Sequence, residues 1–223
     1  GSHVTSTGIF TPNGTGSFPL VYSFTNANGC TNTDTLIVTV VNPTPASAGP
    51  DSSRCFGAGA ITLTGTPAGG TWSGTGITNP AGEFNPLIAG AGNRTLTYSF
   101  TDGNGCSATD NLVVTVNPLP VVNAGPNVTL CNQPIPFTLT PTPGGGTWTG
   151  ANVTATGIFT PNGTGTFNLV YSFTNTNGCT NTDTVAVTVV DPTPASAGPD
   201  SSRCFGAGAI TLTGTPAGGT WSG

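Results

Sequence analysis

Short runs of alternating apolar and polar residues, separated by clusters of Gly, Pro and Asn, recur along the whole chain. Leu96-Thr97-Tyr98-Ser99-Phe100 alternates strictly, residues 112–116 do so in part, and residues 61–64 and 137–140 keep the same rhythm. A period of two in segments rich in Thr, Val, Ile and aromatics predicts strands with one face turned to a core. Asp102-Gly103-Asn104-Gly105, between the two longer runs, has the composition of a hairpin turn. Asn26-Ala27-Asn28-Gly29 and Asn175-Thr176-Asn177-Gly178 occupy the same place elsewhere in the chain. Pro67-Ala68-Gly69-Gly70 turns the chain into a strand carrying Trp72, and residues 82–86 and 157–161 supply one more short strand. Helical periodicity is absent, so the prediction is an all-β chain.

The elements repeat. Residues 43–74 and 192–223 are identical, and residues 118–150 are a diverged copy; residues 4–41 match 153–190 with few changes. Trp72, Trp148 and Trp221 lie 76 and 73 residues apart, and Cys55, Cys131 and Cys204 keep the same steps, as do Cys30, Cys106 and Cys179. Self-similarity at a fixed period is the mark of a repeat array. Six or seven short strands in about 75 residues, broken by Gly, Pro and Asn turns, predict antiparallel immunoglobulin-like β-sandwiches in a linear array. The expected organisation is the back half of a repeat at 4–42, complete repeats at 43–117 and 118–191, and the front half of another at 192–223. An alternative takes permuted units, 4–74, 75–150 and 151–223. Gly1-Ser2-His3 reads as the remnant of a cleaved tag, although it also aligns with Gly150-Ala151-Asn152. Pro43, Pro45, Pro118, Pro120, Pro192 and Pro194 stiffen the junctions and keep edge strands from pairing across them.

Composition narrows the function classes. Charged residues are 5% of the chain, Lys and Met are absent, and the three basic residues are Arg54, Arg94 and Arg203. A formal charge of −5 with so few cations leaves no basic patch to neutralise phosphates, so no nucleic acid is expected as a partner. No apolar run approaches the length of a membrane span. The one His is His3, and no Lys exists to serve as a base; the chain is expected not to be an enzyme. Six Cys without a Cys-x-x-Cys pair read as disulfides in an oxidising compartment.

Ala48-Gly49-Pro50-Asp51, Cys55, residues 61–65, Gly69-Gly70-Thr71-Trp72-Ser73-Gly74, Phe84-Asn85-Pro86 and residues 96–106 together resemble the immunoglobulin-like and PKD-like repeats of giant secreted or cell-surface, adhesin-type proteins of Bacteroidota. The resemblance covers essentially the whole chain. It departs from the PKD pattern at the W-x-F-G-D-G turn, since Trp72 is followed by Ser-Gly-Thr-Gly. It implies an extracellular or surface location and a structural or adhesive role.

Cys30, Cys55, Cys106, Cys131, Cys179 and Cys204 admit three pairing schemes. Pairing within a repeat gives Cys55–Cys106 and Cys131–Cys179, and is the expectation here. A sandwich places those two turns at opposite poles, however, and brings the first turn of one repeat near the last turn of the next, which would allow a junction staple, Cys55–Cys179. Pairing of sequence neighbours, Cys30–Cys55, Cys106–Cys131 and Cys179–Cys204, uses every Cys. A disulfide typically adds about 2–4 kcal/mol, much of what a repeat this small has to spare. Trp72, Trp148, Tyr98 and Tyr171 recur at fixed places and read as core aromatics, with stacking on a sugar ring the competing role. The acids are spread one per turn without a calcium loop; the expectation is no cofactor, with Asp51 and Asp102, near junction and turn, the places for a calcium ion if one binds.

The expected function is a disulfide-stiffened stalk or fibre segment. Ten-residue strands rise roughly 33 Å, so three units in line reach on the order of 100 Å. Its partners would be neighbouring repeats or further copies of itself, joined end to end into filaments by strand complementation. The alternative is an adhesive module that grips a glycan or surface polymer through residues 75–82 and 87–93.

Overall fold

A computed structural model describes residues 4–223; the Gly1-Ser2-His3 segment lies outside the described residues. The chain divides into two units, Gly1–Pro118 and Leu119–Gly223.

The first unit opens with a hairpin of β1 (Gly16–Thr25) and β2 (Thr31–Val40), paired over ten residues as a sheet of their own. There follow β3 (Ser52–Cys55), β4 (Ile61–Thr62), β5 (Thr71–Ser73), β6 (Ile77–Asn79), β7 (Glu83–Phe84), a one-turn helix α1 (Pro86–Ala89), β8 (Gly92–Thr101) and β9 (Ser107–Asn117). One sheet has the order β3-β9-β8-β5, with β3 parallel to β9 and the rest antiparallel; the other is β4-β7-β6. A single cluster fills the space between them. Trp72 of β5, Leu96 and Tyr98 of β8, and Leu112, Val114 and Val116 of β9 meet Phe84 of β7, with Ile61 and Ile77 packed alongside. Burial falls on alternate residues of β8 and β9, as the sequence pattern requires. Each such buried side chain is worth about 1.5–3 kcal/mol.

The second unit repeats the plan with β10 (Val128–Cys131), β11 (Phe137–Thr138), β12 (Thr147–Thr149), β13 (Ile158–Phe159), β14 (Gly165–Thr174) and β15 (Thr180–Val190). Its sheets are β10-β15-β14-β12 and β11-β13. Trp148, Phe159, Leu169, Tyr171, Val185, Val187 and Val189 take the core positions of their counterparts. The chain is all-β, two-layered where a repeat is complete.

The one-turn helix departs from the short strand expected over residues 82–86, of which only Glu83 and Phe84 pair as strand. Asn85 caps the turn, its Oδ1 accepting from Leu87 N at 3.0 Å, and Pro86 follows at the first helical position. That is the pairing which starts helices. The second repeat has Thr160-Pro161 in place of Asn-Pro and forms no helix there.

Residues 43–74 form β3, β4 and β5, whereas the identical residues 192–223 form no strand, only a Ser196–Thr215 bridge. The difference is tertiary. β3 and β5 pair only with β9 and β8 of the same repeat, whereas residues 201–204 and 220–222 lie against no strand. The β1–β2 hairpin persists because its turn is local: Asn26 Oδ1 accepts from the amides of Asn28 and Cys30, each at 3.0 Å.

Gly70 and Gly146 are required by close approach. A Cβ on Gly70 would lie 2.4 Å from the Tyr98 ring, and one on Gly146 2.2 Å from Ser172 O, whereas the nearest atom to a Cβ on Gly219 is 4.0 Å away. Gly70→Ala is therefore expected to destabilise the first unit by about 1–3 kcal/mol in urea unfolding, the usual cost of overpacking, while Gly219→Ala is neutral. Trp148→Ala should cost the second unit about 3–5 kcal/mol, read in the same way.

Candidate functional site

The features that recur in both complete repeats are an aromatic clamp and a set of carboxylate latches. Trp72 lies on Tyr98 with ring centroids 5.1 Å apart, and Trp148 on Tyr171 at 5.0 Å, each pair inclined by 44°. Direct register across the sheet brings them together: Trp72 faces Tyr98 on β5–β8 and Trp148 faces Tyr171 on β12–β14. Tilted packing at this distance is the favoured aromatic geometry. Each phenol is satisfied twice. Tyr171 OH donates to Pro143 O at 2.7 Å and accepts from Gly146 N at 2.6 Å; Tyr98 OH donates to Pro67 O and accepts from Gly70 N at 2.8 Å. Both tryptophans are 3% exposed. The four aromatic residues sit in the cores, with the two phenol hydroxyls spent on the loop before the tryptophan.

The acids hold backbone. Asp110 Oδ2 accepts from Ala48 N and Asp183 Oδ2 from Ala124 N, both at 2.8 Å, fixing the first segment of each repeat to its last strand. Asp51 Oδ1 accepts from Val113 N, and Asn127 Oδ1 does the same for Ala186 N in the second unit. Asp102 organises the hairpin turn: its Oδ1 accepts from Asn104 N and Cys106 N, and its Oδ2 from the amide and hydroxyl of Thr44. The Cys106 amide first, then those of Asn104 and Thr44, hold its carboxyl below the usual 3.8 against an opposing desolvation. The Ala124 amide and then that of Thr184 lower Asp183 in the same way. Among the described residues no three His, Cys, Asp or Glu side chains gather as a metal site would need, and the oxygens of Asp102 are already engaged by amides.

Cys55 and Cys179 are disulfide-bonded. Cys30, Cys131 and Cys204 are exposed free thiols, and Cys106 is a half-buried one. Pairing within a repeat, Cys55–Cys106 and Cys131–Cys179, is therefore not what the structure holds, nor is pairing of sequence neighbours. The reason is visible in the register. Cys55 faces Asn117 at the end of β9, whereas Cys106 immediately precedes its first residue, Ser107. Ten residues of strand separate those ends by about 33 Å, while a disulfide needs Cα atoms within about 7 Å. Cys131, facing Val190, and Cys179, just before Thr180, stand in the same relation along β15.

Two grooves lie outside the Trp72 and Trp148 cores. One, of about 550 Å³, is lined by residues 4–8 with Leu20, Tyr22 and Leu36 of the hairpin. The other, of about 670 Å³, is lined by residues 195–197 and 212–221. Tyr22, the counterpart of Tyr98 and Tyr171, is 72% exposed, and Trp221, the counterpart of Trp72 and Trp148, is 52% exposed. Among the described residues no helix is long and apolar enough to cross a membrane.

No family model matches the chain, and no curated protein does. Solved structures with some likeness include a Ca²⁺-stabilised adhesin of an Antarctic bacterium that binds ice (17% identity over 78% of this chain and 57% of that one, TM-score 0.36). Immunoglobulin domains 1–4 of Sidekick-1 show 14% identity over 79% and 59%, TM-score 0.25, and the tandem immunoglobulin repeats of Dlar 13% over 69% and 97%, TM-score 0.25. The chain thus spans less than two thirds of the first two.

The latches make acid stability predictable. A carboxyl whose pKa is lowered by folding stabilises the fold above its ordinary value, and that contribution is lost as pH falls through the folded value. Each unit should hold constant stability from neutral pH down to the usual Asp range and then weaken in acid. Asp183→Asn should flatten that acid limb for the second unit in pH-dependent urea unfolding.

Proposed function

We propose that this chain is a non-catalytic structural segment, a spacer within a large extracellular or cell-surface protein, whose copies join end to end by strand complementation. The observation that carries this reading is positional. The same register, aromatic clamp and carboxylate latch build both complete repeats, so the side chains that could do chemistry are engaged in holding the module shut. Disulfide-bonded Cys55 and Cys179 favour an oxidising compartment, and a chain of which only 5% of residues are charged favours an inert spacer over a recognition surface for charged partners. The neighbours of such a segment are further repeats of its own kind.

A second reading, adhesion to a glycan or surface polymer, has one observation in its favour. Leu87 and Ile88 stand exposed on α1, within the loop that would reach a ligand. Single-molecule pulling under reducing conditions separates the readings with a glycan array run in parallel. The spacer reading expects two similar unfolding events per chain, each releasing roughly 250 Å of extended backbone, and no reproducible array signal. Reproducible micromolar binding that is lost in Ile88→Asp would transfer the function to the loops.

A further inference from the structure

We propose that Asp102 and Asn181 do one job in the two complete repeats. Each tethers the segment entering its repeat to the long hairpin of that same repeat, so the Pro-rich entry is a held joint and not a free hinge.

Counting back from a shared landmark fixes the tether point. Ala48 and Ala124 are the alanines latched by Asp110 and Asp183, and four residues before them stand Thr44 and Pro120. Asp102 Oδ2 accepts from Thr44 N at 3.2 Å and from Thr44 Oγ1 at 3.3 Å, across 58 residues of sequence. Asn181 Nδ2 donates to Pro120 O at 2.9 Å, across 61 residues. The two contacts have opposite polarity, and each hairpin supplies the group its own entry needs. Thr44 brings an amide and a hydroxyl as donors and meets a carboxylate, which when ionised only accepts. Pro120 has no N–H; it brings a carbonyl and meets a carboxamide that can donate. The exchange is complete on the hairpin side as well. Counting from Cys106 and Cys179, Asn175 stands in the place of Asp102 and Ala108 in the place of Asn181. Ala108 could not make the second bond, nor Pro120 the first.

The hairpin turn alone does not call for Asp at position 102. Its Oδ1 accepts from Asn104 N and Cys106 N at 2.9 and 3.0 Å, and Asn26 and Asn175 close their turns with the same pair of bonds through one amide oxygen. What sets Asp102 apart is a second acceptor oxygen, and that oxygen is spent on Thr44. In Asn181 the oxygen accepts from Thr182 N, which leaves the Nδ2 for Pro120. Downstream of the tether each segment is fixed already, Ser47 exchanging backbone bonds with Thr66 and Asn123 with Thr142. The freedom left to remove therefore lies in residues 43–45 and 119–120. Proline restricts φ there and leaves ψ to be set by something else. The use of a held joint, to carry direction along an array, rests on the spacer reading; the tether itself is a contact inside one repeat.

Backbone ¹⁵N relaxation on the whole chain tests it, with the amides of residues 44 and 119 as reporters. In the wild type both should show order parameters of about 0.85, as rigid backbone does. Asp102→Asn combined with Thr44→Val keeps the turn oxygen and leaves no donor–acceptor pair across the joint. The amide of residue 44 should then fall below about 0.6, while those of residues 104–106 and 119 hold their values. Asn181→Ala should loosen residue 119 by the same amount and leave residue 44 alone. Residue 44 staying rigid in the double variant, or residue 119 in Asn181→Ala, would overturn the tether. Loosening of residues 104–106 together with residue 44 would overturn the division of Asp102 into a turn oxygen and a tether oxygen. The readout involves neither force nor glycan, so its failure is distinguishable from a failure of the spacer reading.

Discussion

The structure depends on strand pairing between residues far apart in sequence. In the first complete repeat β3 finds its partner in β9, and β5 in β8, each from the other end of the repeat. The short front strands have little stability of their own, because two to four residues cannot offset the ordering of their backbone. The long β8–β9 and β14–β15 hairpins form a platform, and the front half becomes sheet only when laid upon it. The Trp–Tyr pair is where that closure is locked: register places the rings together, the phenol bonds the loop before the tryptophan, and glycine at Gly70 or Gly146 lets the backbone come close enough.

A single sequence in two contexts shows the point without mutation. Residues 43–74 are three strands, and the same residues at 192–223 are none. Local propensity is equal by construction, so the difference is the platform alone. The reverse holds for the hairpin, which survives uncovered because its turn and its ten-residue ladder are local.

Much of this was legible beforehand. The alternation in residues 96–100 and 112–116 marked the buried faces correctly, and the Asn/Asp-Gly clusters marked the hairpin turns. Trp72, Trp148, Tyr98 and Tyr171 were readable as core because they recur with the repeat, whereas a ligand site need not. The cysteines were not legible. The sandwich expectation put the Cys55 and Cys106 turns at opposite poles without excluding a bond between them, and the register is what separates the two residues by about 33 Å. The acids, legible only as spread one per turn, also hold distant backbone. Asp110 and Asp183 latch amides 62 and 59 residues away, and nothing local announces such a bond. The signal that could have found them is their constant place in each repeat, opposite an alanine that also never changes.

Residue-resolved hydrogen exchange by NMR on the dilute chain in reducing buffer tests the central claim most directly. The account predicts strong protection for the amides of residues 52–55 and 71–73 and rapid exchange for the identical residues 201–204 and 220–222. Equal protection of the two identical segments in the dilute single chain would contradict it, because the front half would then be forming sheet without its platform.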